Sequence, residues 1–226
     1  MRDLSTDLHE QRNEPPVRSR RSLLALTGLG AAGVAALAAS SSAAAAPTPS
    51  ADPDDPNVLS VRDFGATGDG ATDDLAAINA ALAAAAALVQ VPKLAGTGLA
   101  PTVVFPAAVG YRVTGTVTVP PRVAVVMHAS VLYDGPVDAP GLVIGSTAAP
   151  TMGLTFKLDI SRFDGPNYAD WSSDDHVGIR LVNFDECVVW AMRSQGFAIG
   201  LQCLGNGGGF AYNEIHLGFI LDARVG

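Results

Sequence analysis

The residues best suited to chemistry cluster in Asp164-Gly165-Pro166-Asn167-Tyr168-Ala169-Asp170-Trp171-Ser172-Ser173-Asp174-Asp175-His176. Asp170, Asp174 and Asp175 offer a carboxylate pair for acid and nucleophile or base roles, where the separation of the two groups decides between retention and inversion at a sugar carbon. Tyr168 and Trp171 can stack on sugar rings, and His176 adds a polar substrate contact. A second reading is a solvated acidic loop whose two aromatics fold back on the scaffold, because loops concentrate function without guaranteeing it. Asp69, Asp73 and Asp74 have the composition of a calcium site but lack its bidentate Glu and loop length, so turn and helix capping fits them better. No metal and no cofactor are expected. Cys187 and Cys203 are the only cysteines; they read as buried small apolar residues, although an oxidising compartment would allow a disulfide. His128 and His216 lie in strand patterns and read as fillers.

The elements that must position these residues are strands. The acidic segment is too polar and too broken by Gly and Pro for regular structure, which makes it a long loop projecting from a scaffold. Thr102 to Phe105 is a β-branched run stopped by Pro106, and Tyr111, Val113, Val117 and Val119 alternate with Arg112, Thr114, Thr116 and Thr118, a period of two with one face inward. Ile179, Ile199 and Ile220 are almost evenly spaced, and the pattern of Val188-Val189-Trp190-Ala191 recurs in Glu214-Ile215-His216-Leu217. Recurrence on this scale is what a solenoid needs, since each turn of chain stacks on the last and buries like residues in columns. An ordinary β-sandwich is the alternative.

Upstream, Gly65, Gly68 and Gly70 around Asp69 predict tight turns that end a short strand. Thr72 and Asp73 are expected to cap the helix that follows, with Asp73 and Asp74 at the positive end of its dipole. Leu75, Ile78, Leu82, Ala85 and Val89 form its apolar face. The run SVRDFGATGDGATDDLAAINAAL resembles the opening segment of the pectate-lyase-like superfamily, in which a short strand, a Gly-Asp-Gly turn and an amphipathic helix cap the first coil. TVVFPAAVGYRVTGTVTVP is similar to the coil after that cap, and YNEIHLGFILDARVG resembles a late coil of tailspike-like and polysaccharide-degrading members. The resemblance implies an all-β, right-handed parallel β-helix with an N-terminal helical cap. It also implies a carbohydrate-active protein that cleaves or binds an extracellular polysaccharide by hydrolysis or elimination. The alternatives are a non-catalytic tailspike-like binding or structural module, and a shortened copy without its catalytic coils. Of the elements that polygalacturonases share, only an Asp-Asp pair is present, Asp174-Asp175, in a different context.

Arg18-Ser19-Arg20-Arg21-Ser22 ahead of a weakly apolar run from Leu23 to Ala39 resembles a twin-arginine export signal, with Ala44 to Ala46 as cleavage site. The run is barely long enough for a membrane span and is rich in Gly, Ser and Ala rather than Leu and Ile, which disfavours one. The expected organisation is a leader at 1–46, a Pro/Asp-rich linker at 47–57 and one β-helix domain at 58–226, secreted and without a stable membrane anchor. The leader carries five of the 14 basic and four of the 22 acidic residues, which leaves 9 against 18 and a mature net charge of about −9. Such a surface repels phosphate backbones, so nucleic acid is excluded as a partner, and it repels polyanionic glycans unless a cation bridges. From Thr102 to the end, the chain has room for about five or six coils of the length usual in solenoids. Phe219, Ile220, Leu221 and Val225 still read as strand, which predicts self-association through the C-terminal coil or a fragment.

Overall fold

The computed structural model describes residues 55–89, 100–165, 171–205 and 209–224. The leader, most of the linker, Tyr168, Asp170 and Val225 lie outside them. The first strand, β1 (Val58–Ser60), leads into a 3-10 turn, Val61–Phe64, that Gly65 closes at φ 100°. β2 (Asp69–Asp73) and the helix α1 (Leu75–Val89) follow. Gly68 sits at φ 65°, where an added Cβ would stand 2.8 Å from Ala108 Cβ and 2.9 Å from the Tyr111 ring. Only glycine therefore satisfies both the backbone angle and the close approach.

The carboxylates of this segment divide the expected turn and helix capping between them, Asp69 holding the turn through the N–H groups of Ala71 and Thr72. Asp74 is buried, and instead of capping α1 its side chain reaches back: Oδ1 accepts from Thr67 N–H (2.7 Å) and Thr67 Oγ1 (3.1 Å), and Oδ2 from Gly68 N–H (3.0 Å). Thr72 is no cap either; its N–H and hydroxyl both donate to Asp69, at 2.7 Å each. Asp73 alone serves the helix start, accepting from Leu75 N–H at 3.1 Å, and it also takes the Thr114 hydroxyl at 2.6 Å. The face of α1 runs through Ile78, Ala81, Leu82 and Ala85, all buried in the core, with Leu75 and Val89 packed beside them. Among the described residues no helix is long and apolar enough to cross a membrane.

The remaining elements are strands: β3 (Thr102–Phe105), β4 (Gly110–Val113), β5 (Val117–Val119), β6 (Ala124–Met127), β7 (Val131–Tyr133), β8 (Leu142–Gly145), β9 (Thr151–Met152), β10 (Thr155–Arg162), β11 (Val177–Val182), β12 (Phe184–Asp185), β13 (Val188–Gln195), β14 (Ile199–Leu204) and β15 (Glu214–Leu221). The pairings that join them are parallel, and they form sheets of nine, four and two strands among the described residues. The large sheet is two ladders that merge. One runs β1, β3, β6 and then the first halves of β10, β13 and β15; the other runs β2, β4, β7 and then their second halves. The four-stranded sheet runs β5, β8, β11, β14, and β9 pairs with β12. The chain thus visits each sheet in turn and returns one strand further on, a stack of parallel coils consistent with a parallel β-helix.

Period-two patterning explains which residues meet inside. Val103 lies opposite Val125 and Phe105 opposite Met127, Phe156 opposite Val189, and Leu158 opposite Ala191, all of them buried. Tyr111, Val113, Val117 and Val119 are buried as the alternation predicts, yet they belong to two sheets, β4 and β5, with a corner at Thr114–Thr116. The recurrence of Val188–Ala191 in Glu214–Leu217 is real: Val188 pairs with Glu214 and Trp190 with His216. The isoleucine column is not. Ile179 pairs with Leu201, Ile199 with Val177, and Ile220 with Ser194 in a different sheet. Coils differ in length because their corners do: the coil that carries Thr102 round to Ala124 is much shorter than the one that carries Lys157 round to Trp190.

Candidate functional site

The acidic loop between β10 and β11 ties two of its carboxylates to arginines. Asp174 pairs with Arg224, and Asp175 with Arg180 at 2.9 Å. Arg180 is held in turn by Gln202 Oε1 at 2.6 Å. Both carboxylates are exposed and tied to different arginines, so they act as links from the loop to β11 and to the residues after β15. Trp171 is half-buried. His176 has no exposed surface; its ring packs 5.2 Å from that of Phe197, which in turn lies 5.8 Å from Tyr133. In this arrangement His176 is a core residue, not a substrate contact. The reason is local: it immediately precedes β11, whose first residues face inward.

A second surface gathers aromatic, charged and amide groups. The outward residues of β10, β13 and β15 form rows across the stack: Lys157, Trp190 and His216; Asp159, Arg193 and Phe219; Ser161, Gln195 and Leu221. The Trp190 and His216 rings stack face to face at 3.7 Å with 5° between their planes. His216 Nε2 meets Glu214 Oε1 at 2.7 Å, so the histidine read as a filler is held on both sides. Arg193 Nε lies 3.0 Å from Asp159 Oδ1 and donates again from Nη2 to Oδ2 at 3.5 Å. Gln195 Nε2 donates to Asp222 Oδ2 at 3.0 Å.

Between these rows runs an open groove of about 400 Å³ lined by Asp159, Met192, Arg193, Gln195, Phe219 and Leu221. A register shift after Leu158 makes Met192 an extra residue relative to β10, and this bulge turns its side chain outward. β15 passes the bulge only because residue 218 is glycine, since a Cβ there would stand 2.3 Å from Met192 O. The groove combines an apolar wall with charge-paired and amide groups, the lining that suits a ligand with one apolar and one hydroxylated side. Sequence patterning marked Trp190 and His216 as equivalent positions of one recurrence but gave no sign of Asp159 or Met192, which depend on the bulge.

The two cysteines are both free. Cys187 is buried, its thiol donating to Thr151 O at 3.4 Å, and burial pushes that thiol's pKa up. Cys203 is exposed on β14, which corrects its reading as a buried residue.

Stacked parallel coils define the class of this molecule as a parallel β-solenoid. Residues 58–124 match the family described as rhamnogalacturonase A/epimerase, pectate lyase-like. That is under a third of the chain and does not reach the groove. Among curated proteins no relative matches. A solved structure, the ORF18 protein of Geobacillus virus E2, is similar at 20% identity with a TM-score of 0.47, over 61% of this chain and 25% of that one. The chain therefore spans a quarter of the length of that phage protein.

Proposed function

We propose that this protein is an exported, right-handed parallel β-helix, capped at its N-terminal end by α1, that binds an extracellular polysaccharide along the outward groove of β10, β13 and β15. The observation that carries the reading is the groove itself, where Met192, Phe219 and Leu221 offer apolar surface beside the Asp159–Arg193 pair and Gln195. A sugar ring presents the same two characters, C–H faces and hydroxyl edges, and aromatic side chains supply large contact area at low ordering cost. The family match over 58–124 supports the carbohydrate class, and the twin-arginine-like leader supports export. Binding is favoured over cleavage because Asp174 and Asp175 are each engaged by an arginine. In a cleaving form of the same reading, Asp170, Asp174 and Asp175 in the loop would supply the carboxylates, with Tyr168 and Trp171 as further sugar platforms.

Affinity gel electrophoresis against a polysaccharide panel, run beside assays for reducing ends and unsaturated products, tests this. Phe219 is 66% exposed, so Phe219→Ala is expected to weaken retention about tenfold, on the order of 1.4 kcal/mol, with an unchanged melt. Retention that survives Phe219→Ala while Trp171→Ala abolishes it would move the site to the acidic loop.

A further inference from the structure

We infer that the groove selects an uncharged glycan and rejects uronate-type polyanions; the inference rests on the proposed carbohydrate function and assigns that site its ligand class. The cation in the groove is Arg193, and its charge is already paired while some of its N–H donors stay open. Asp159 accepts from it twice, at 3.0 and 3.5 Å, from the neighbouring strand of the same sheet. A uronate carboxylate approaching Arg193 would meet the Asp159 carboxylate at the same guanidinium, and like charges that close disfavour each other. The other polar position is occupied in the same way, because Gln195 donates to Asp222.

Among the described residues the outward rows carry no excess of positive charge. On the outward rows Lys157 and Arg193 are set against Asp159 and Glu214, and Asp222 stands beside Gln195, so the acidic groups outnumber the basic ones. The whole chain is at −8, and a negative protein slows the approach of a polyanion rather than steering it in. A neutral glycan meets none of these costs. Its ring faces lie on Met192, Phe219 and Leu221. Its hydroxyls take the acceptor and donor capacity that Asp159, Arg193 and Gln195 retain after pairing with their neighbours. The ion pair thus works as a lock, leaving the guanidinium able to hydrogen-bond a hydroxyl while keeping it closed to a competing carboxylate.

The test compares retention of the full chain in gels containing neutral polysaccharides (galactan, xylan, mixed-linkage glucan) with gels containing polygalacturonate or alginate, each at low and at high salt. The expected result is retention by at least one neutral glycan, insensitive to salt, and none by the polyanions. Asp159→Asn, which frees Arg193, is expected to acquire polygalacturonate retention that the parent lacks, and to lose it at high salt. A thermal melt of the variant establishes that it is folded; if it is not, Asp159→Ser serves in its place. Salt-sensitive retention of the wild-type protein by a polyanion would overturn the inference and leave the carbohydrate reading standing. No retention by any glycan would overturn that reading itself. Neutral selectivity without a gain in the folded Asp159 variant would overturn the role given to the ion pair.

Discussion

At the scale of single residues, the turn before α1 shows how a fully exposed carboxylate can still be held far from its ordinary state. The N–H groups of Thr72 and Ala71 and the Thr72 hydroxyl hold the Asp69 carboxyl down to about 2, from an ordinary 3.8. Because the folded value is the depressed one, the turn's contribution is fully present above about pH 4 and is lost as pH falls toward 2. A carboxyl-detected NMR titration is expected to place the Asp69 inflection near 2, and an inflection near 4 would show that the turn is not held. Asp74 works on the inside of the same turn, with two backbone N–H groups and a hydroxyl converging on its buried oxygens. Composition had suggested a capping carboxylate there. The reversal follows from Gly68, whose left-handed backbone, together with Thr67, points its N–H at Asp74 before the helix begins.

At the scale of elements, α1 matters through one face. Leu82 is 2% exposed within the core cluster, and Leu82→Ala is expected to cost about 2–5 kcal/mol by leaving a cavity between helix and coil. Urea titration measures it, and a loss under half a kcal/mol, about the size of a surface substitution, would mean that the helix is not seated on the stack. This face was legible in the sequence because Leu75, Ile78, Leu82, Ala85 and Val89 repeat at helical steps. The strands β3 and β4 were legible from β-branching and alternation. What the sequence hid was which strand lies over which. Pairing across coils depends on the length of every corner, and the step from Thr102 to Ala124 is much shorter than the step from Lys157 to Trp190. Ile179, Ile199 and Ile220 are almost evenly spaced along the chain and still fall in two different sheets. The candidate site was hidden for the same reason. Its apolar wall comes from a bulge residue, Met192, and from Phe219, which alternation alone places only as facing away from Ile220.

At the scale of the whole molecule, stability is shared between neighbours along the stack. β10 and β11 are bonded on both sides, to β6, β7 and β13 and to β8 and β14, whereas β14 and β15 are each bonded along one side among the described residues. Native-state hydrogen exchange is therefore expected to show the slowest amides in β10 and β11 and faster ones in β14 and β15. Uniform protection through β15 would show that this strand has a second neighbour in solution. The merging of the two ladders has a mechanical consequence. β3 and β4, like β6 and β7, are separate strands with a short link between them, so in the early coils the corner is made by the link. β10, β13 and β15 run through it unbroken for 8 residues each. From β10 onward the two ladders form one bent plate, its crease fixed by the Met192 bulge and Gly218. The groove lies along that crease, on strands that pass the corner without a break, so a polymer settling into it meets three continuous strands and part of the ordering cost of binding falls on the polymer.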